Sequence, residues 1–229
     1  MGRDGQPKQR QAARDLRRRA ARRQPAERVL IVCEGTKTEP LYLKEIRQQL
    51  RLPSANVQVL PAGDGTEPLR IVEYAEVIFT RGRRELGIHA RSFDRVAAVF
   101  DRDEHRTYHD ALAKAAALNQ RLVNDHKVKV PFEAVASVPC FELWLLLHFE
   151  DVRAPLHRDD ALQRLRAHLP GYAKGQGSHW TATRGRVEEA ARRAEALANA
   201  GHTPSDGVQP YTAMHTLVAR LLGMKDQTA

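Results

Sequence analysis

The sequence predicts an α/β fold: a mostly parallel sheet flanked by helices, followed by a C-terminal helical extension. Three observations carry this. Short apolar, β-branched runs recur through residues 28–137, each followed by a segment with helical spacing. Two of those runs end abruptly on acids, at Glu34 and at Asp101, as strands do where they emerge from a core. After residue 150 only helical periodicity remains. Alternation of strand and helix is the pattern of parallel sheets with helices on both faces.

The elements follow in order. Residues 28–33, "RVLIVC", read as a buried strand, and "EGTKTE" as the polar turn after it. Leu41, Tyr42, Ile46 and Leu50 recur at helical spacing and predict a helix over 39–51. "NVQVL" at 56–60 alternates like a second strand. A loop at 61–68, "PAGDGTEP", leads into a helix over 69–86. "DRVAAVF" at 94–100 is a third strand, 107–125 an Ala/Leu-rich helix and 128–137 a fourth strand. "CFELWLLLHFE" at 140–150 is a strongly apolar helix. Further helices are expected at 158–169, 183–200 and 210–223, with the glycine-rich segment 170–182 as the most mobile.

The organisation expected is a basic, flexible arm at 1–26, an α/β core at 27–150 and a helical extension at 151–229 packed on that core. A chain of 229 residues suffices for one good core. The net charge is +9, and residues 1–26 hold nine basic side chains against two acids. Most of the excess charge therefore sits in the arm, which is suited to neutralising nucleic-acid phosphates. No apolar run approaches the ~18 residues of a membrane span, and no secretory h-region follows the N-terminus. Cys33 and Cys140 lie in apolar segments without CxxC or HxxxH spacing. They read as reduced core thiols, and the expected location is cytoplasmic.

In open α/β sheets, function gathers outside the carboxyl ends of the parallel strands. Glu34 ends the first strand, and Asp101 and Asp103 end the third; residues two apart in extended chain point the same way, so Asp101 and Asp103 can share one cation. If those strands are neighbours, their ends lie about 5 Å apart. Three carboxylates at that distance repel one another. A hard divalent cation such as Mg²⁺, with Mn²⁺ as a possible substitute, removes the conflict. The plain structural alternative is a set of ordinary strand-end acids, with Asp101 capping the next helix. Glu142, among apolar neighbours, needs a partner or a metal and is read as a further site acid. Lys174 could stabilise charge on a transferring phosphate. Glu39 reads as the distal half of a Thr36–Glu39 capping box, His148 as a core histidine, and Trp180 as a local packing anchor.

"VCEGTKTE" followed by "VFDRDE" resembles the Toprim domain of topoisomerases, primases and overcoming-lysogenization-defect nucleases. The words "CEGTKTEPLYL", "VFDRDEH", "SVPCFELWLLLHF" and "PYTAMHTLV", in that order over residues 28–222, resemble the RloB family. That is a Toprim-like group associated with restriction and abortive-infection loci. The resemblance implies a Toprim-like core and Mg²⁺-dependent phosphodiester cleavage, DNA or RNA as substrate, and a partner ATPase. It implies Glu34 as general acid/base and Asp101 and Asp103 as metal ligands. Three other readings stay open: a non-catalytic module that binds nucleic acid or an ATPase, a primase-like phosphoryl transfer, and a regulatory subunit of an ATPase.

Overall fold

The computed structural model describes residues 26–62 and 67–228. The basic arm expected at 1–26 lies outside the described residues except for Ala26, as do residues 63–66 of the loop expected at 61–68.

Five strands form one sheet: β1 (Val29–Cys33), β2 (Val57–Pro61), β3 (Arg95–Asp101), β6 (Phe132–Val138) and β7 (Tyr211–Thr212). The order is β2-β1-β3-β6-β7. The first three pairings are parallel, and β7 runs antiparallel to β6. A separate antiparallel hairpin joins β4 (Leu122–Val123) to β5 (Lys129–Val130). Side chains alternate between the two faces of the sheet. Val29, Ile31, Cys33, Ala97, Val99 and Val135 point to one apolar cluster, and Leu30, Val32, Val96, Ala98, Phe100 and Ala136 to the other.

Helices α2 (Pro68–Arg81) and α3 (Tyr108–Leu118) cover the second face, through Ile71, Val72, Ala75, Phe79, Ala111 and Ala115. The first face is covered by α1 (Thr38–Gln49) and α4 (Glu142–Leu146), and by helices from the C-terminal part of the chain. These are α5 (Arg158–His168), α6 (His179–Thr183), α7 (Val187–Asn199) and α8 (Met214–Thr228). Leu165, Trp180, Ala194, Leu197, Leu217 and Leu221 share one cluster with Ile31 and Val99.

Several boundaries depart from the sequence reading. The helix expected over 69–86 stops at Arg81, where Gly82 takes a φ of 72°. The helix expected over 107–125 ends at Leu118, and residues 122–130 turn back as the small hairpin. Asn119 there accepts from the Phe132 N–H, and the Asn124 side chain accepts from the His126 and Val128 N–H groups. The helix expected over 140–150 is regular only over Glu142–Leu146. Residues 211–212, expected within a helix over 210–223, form the edge strand β7, and that helix starts at Met214. Both cysteines are free and buried. Among the described residues no helix is long and apolar enough to cross a membrane.

Candidate metal and phosphate site

The site is built at the carboxyl ends of β1 and β3, which are adjacent and in register with Cys33 opposite Val99. The Glu34 N–H donates to the Val99 carbonyl at 2.9 Å, which carries the ladder one residue past β1. The Glu34 Oε2 accepts the Asp101 N–H at 2.9 Å. Its Oε1 lies 2.9 Å from His105 Nε2, and His105 Nδ1 lies 3.6 Å from Glu67 Oε1. Thr107 steadies Glu67 with a hydroxyl hydrogen bond of 2.6 Å.

Asp103 departs from simple strand geometry. β3 ends at Asp101, and Asp103 has a φ of 33°, so the two aspartates do not share a face as alternate residues of one strand. The Asp103 N–H donates to the Pro139 carbonyl at 2.9 Å, which brings its carboxylate back over the site. Asp103 Oδ2 accepts from Arg158 on α5 at 2.8 Å. Its Oδ1 is buried and has no partner. A buried, unsatisfied carboxylate oxygen is costly and calls for a cation or a water.

Glu142, in the first turn of α4, is buried. Its Oε1 accepts from the Tyr172 hydroxyl at 2.8 Å and lies 3.1 Å from Lys174 Nζ. Burial pushes this carboxyl up, but Lys174, the Cys140 thiol and Tyr172 together hold it below the ordinary glutamate range. Tyr172 and Lys174 come from segment 170–182, which is packed down on the helix α1. Gly175 N–H donates to Thr38 Oγ1 at 3.0 Å, and Ser178 N–H donates to Glu45. Trp180 donates to Gln49 at 3.1 Å and meets the Tyr42 ring edge-on. Trp180 is thus a packing anchor. His148 is a core histidine beside the Trp144 carbonyl, and burial depresses it to about 4.

Glu39 joins this group unexpectedly. The predicted capping box does not form, because Lys37 is the N-cap and no side chain caps the helix. Burial raises the Glu39 carboxyl to about 7, and Glu142 and Glu34 push it the same way. Burial also raises Asp101 well above its usual range, with Glu39, Glu34, Glu142 and Asp103 adding to the effect. Burial raises Glu34, against the opposing pull of the Asp101 N–H and His105. Burial raises Asp103 as well, against Arg158 and Lys174. The fold therefore brings Glu34, Asp101, Asp103, Glu142 and Lys174 into one electrostatic neighbourhood and adds Glu39, His105, Arg158 and Tyr172 to it. The T-x-x-E spacing concealed Glu39, since only the fold sets its carboxyl among Glu34, Glu142 and Lys174. Arg158 and Tyr172 are distant in sequence and had no local signal.

Gly35 makes this crowding possible. A Cβ there would lie 2.0 Å from Glu39 Oε2. Gly35→Ala is expected to displace the Glu39 carboxyl and lower stability by about 1–2 kcal/mol, the usual cost of overpacking. Urea unfolding at pH 6 measures it, and a midpoint equal to wild type would refute the contact.

As placed, no three His, Cys, Asp or Glu side chains among the described residues are grouped to share a metal ion. Glu34 is engaged by His105 and Asp103 by Arg158. The donor set itself, hard carboxylate oxygens under mutual repulsion with one buried oxygen unsatisfied, suits a hard divalent cation.

The sheet order, the flanking helices and the C-terminal helix fit a Toprim-like fold. No curated protein and no solved structure matches the chain. The family model described as RloB-like protein matches residues 29–221, a span that holds every side chain of this site. By that match over most of its length, the chain belongs to the RloB-like protein family.

Proposed function

We propose that this chain is a metal-dependent nuclease that hydrolyses phosphodiester bonds in nucleic acid. We further propose that it is the effector of an anti-phage, abortive-infection system working with a partner ATPase. The observation that carries the nuclease reading is the junction of two parallel strand ends. There Glu34 accepts directly from the Asp101 N–H, and Asp103 presents a buried oxygen with no partner. The defence role and the ATPase rest on the family resemblance.

In this reading Glu34, Asp101 and Asp103 would hold Mg²⁺ or Mn²⁺ once their carboxylates turn from His105 and Arg158 toward the ion. When bound, the ion supplies Lewis-acid polarisation of the phosphate and a lowered pKa for the attacking water. Alternatively Glu34, whose carboxyl burial raises above the ordinary glutamate range and whose Oε1 meets His105, takes the water's proton in place of a metal-ligand role. Glu142 holds Lys174 in place through a contact at 3.1 Å, with the lysine side chain about half exposed. That cation balances the charge that accumulates on the phosphate oxygens as the P–O bond breaks. The Tyr172 hydroxyl donates to the same Glu142 oxygen and fixes it.

A second reading, a non-catalytic binding module, draws support from the same contacts: Asp103 is already paired with Arg158, and Glu34 is already hydrogen-bonded to His105. One experiment separates the two. Purified protein is incubated with tRNA, single-stranded DNA and duplex DNA in Mg²⁺, Mn²⁺ or EDTA, with and without the partner ATPase. Cleavage of at least one substrate in Mg²⁺ or Mn²⁺, abolished by EDTA, is expected. Binding that ignores the metal, without cleavage in any mixture, would favour the module.

A further inference from the structure

We infer that the outer face of α1 is a track for the phosphate backbone of the nucleic acid, leading away from the acidic site. The inference rests on the nuclease reading for its substrate class and on α1 itself for its geometry. Three basic residues, Lys37, Lys44 and Arg51, recur at intervals of seven along this element. Seven residues are nearly two helical turns, so Lys37 and Lys44 fall on one side with ~20° of drift. Lys37 is the N-cap, and its carbonyl already accepts the Leu41 N–H at 2.8 Å, so it belongs to the helical turn. Arg51 sits just past the C-cap Leu50 with a φ of 55°, where the chain turns off the helix, so it marks the far end of the row by position and not by helical spacing. The buried face of α1 is Pro40, Tyr42, Leu43 and Ile46, which leaves Lys44, half-buried, and Gln48, exposed, on the other side.

Charge and position point to a polyanion. Among the described residues, Lys37, Lys44 and Arg51 make no side-chain hydrogen bond or ion pair. Between Leu41 and Pro61 the sole acid is Glu45, and the Ser178 N–H engages it. Arg47 adds a fourth cation on the flank, with one guanidinium nitrogen 3.3 Å from the Val57 carbonyl. The near end of the row is at the site. Lys37 is three residues after Glu34, and its stem lies so close to Gly175, next to Lys174, that a Cβ there would sit 2.7 Å from Lys37 Cδ. From that end α1 runs ~18 Å for its 12 residues. That length accommodates several consecutive phosphates of one strand. A row of unpaired cations that starts beside a phosphodiester-cleaving centre and meets one occupied acid is what a backbone-tracking, sequence-indifferent contact requires.

The test measures binding, not cleavage. Full-length protein is titrated into labelled single-stranded and duplex oligonucleotides in EDTA, by fluorescence anisotropy, from about 50 to 200 mM salt. The triple variant Lys37→Gln, Lys44→Gln, Arg51→Gln is compared with Arg81→Gln, Arg84→Gln, Lys129→Gln. The control removes the same charge from exposed positions away from α1. Segment 1–25 is present in all three proteins. The α1 variant is expected to lose roughly tenfold or more in affinity at the lowest salt. The slope of log K against log salt should fall by about two, at 0.7–0.9 per phosphate contact. The control should stay within about threefold of wild type. If the triple lowers the melting temperature, Lys37→Gln with Arg51→Gln at the two exposed positions repeats the comparison. Equal losses in both variants, no loss in the α1 variant, or a wild type that binds neither oligonucleotide would overturn the track. The nuclease reading is judged separately by metal-dependent cleavage and its loss in an Asp101 variant, which does not involve α1.

Discussion

Asp101→Asn is expected to abolish cleavage while leaving a folded protein that is as stable as wild type or more so in EDTA. Asp101 closes β3 between Glu34 on one side and Ser137 on the other. Its backbone N–H makes the bond to Glu34, so that contact survives the substitution. What disappears is one carboxylate whose ionised form burial disfavours and which Glu39, Glu34, Glu142 and Asp103 repel. Relieving that repulsion raises stability above neutral pH, where the other acids carry charge. Activity moves the other way. Loss of a group merely supporting a metal ligand typically costs 10–100-fold, so loss of a ligand should cost about a hundredfold or more. Gain in stability with loss of function is the signature of an acid retained for chemistry. The decisive pair of measurements is cleavage in Mn²⁺ and the melting temperature in EDTA at pH 8. A variant that cuts as fast as wild type would remove Asp101 from the site, whereas one that fails to melt cooperatively would make it a structural residue.

Much of this arrangement was legible because the chemistry sits where secondary structure changes. Val29–Cys33 and Arg95–Asp101 are short apolar runs ending on acids, and the parallel pairing of neighbouring strands puts those ends side by side. The companion expectation, that Asp101 and Asp103 align as alternate residues of one strand, failed because the chain leaves the sheet after Asp101. The Pro139 carbonyl then captures the Asp103 N–H from a different strand end. Glu39 was misread for a related reason. A T-x-x-E spacing describes a local hydrogen-bond pattern, but in the fold Lys37 is the N-cap and the Glu39 carboxyl sits among Glu34, Glu142 and Lys174. Residues 108–130 show the same limit in the fold. The Ala/Leu content of 107–125 suits one long helix, yet that helix ends at Leu118, and the side chains of Asn119 and Asn124 satisfy backbone N–H groups of Phe132, His126 and Val128. Arg158 and Tyr172 reach the site from 55 and 30 residues away from their partners, Asp103 and Glu142, and only tertiary packing could place them there.

The acid cluster also dictates how stability depends on pH, with Glu39→Gln as the probe. Glu39 titrates near 4.5 in an unfolded chain and near 7 in the folded one. Between those values the native state keeps a proton that the unfolded state has released. Stability is therefore highest below pH 4.5 as far as this group is concerned, and it falls as pH rises toward 7. A tenfold difference in proton affinity between the two states is worth about 1.4 kcal/mol. Part of the Glu39 side chain still meets solvent, which screens the effect, so its share is about 1–3 kcal/mol. Glu34, Asp101 and Asp103 are shifted in the same direction and steepen the decline. Glutamine keeps the shape and cannot ionise. Glu39→Gln should therefore match wild type within about 2 °C at pH 4.5 and melt roughly 3–8 °C higher at pH 8 in EDTA, at about 2–4 °C per kcal/mol for a chain of this size. A divalent cation that binds the folded site alone adds stability by mass action. Mg²⁺ should thus raise the wild-type melting temperature more at pH 8 than at pH 5.5, because protonated carboxyls are poor ligands. Parallel melting curves for the two proteins across this range would mean that Glu39 does not hold its proton in the native state. The crowding of five acids would then have to be relieved by a rearrangement of their side chains, with no proton retained and no cation needed.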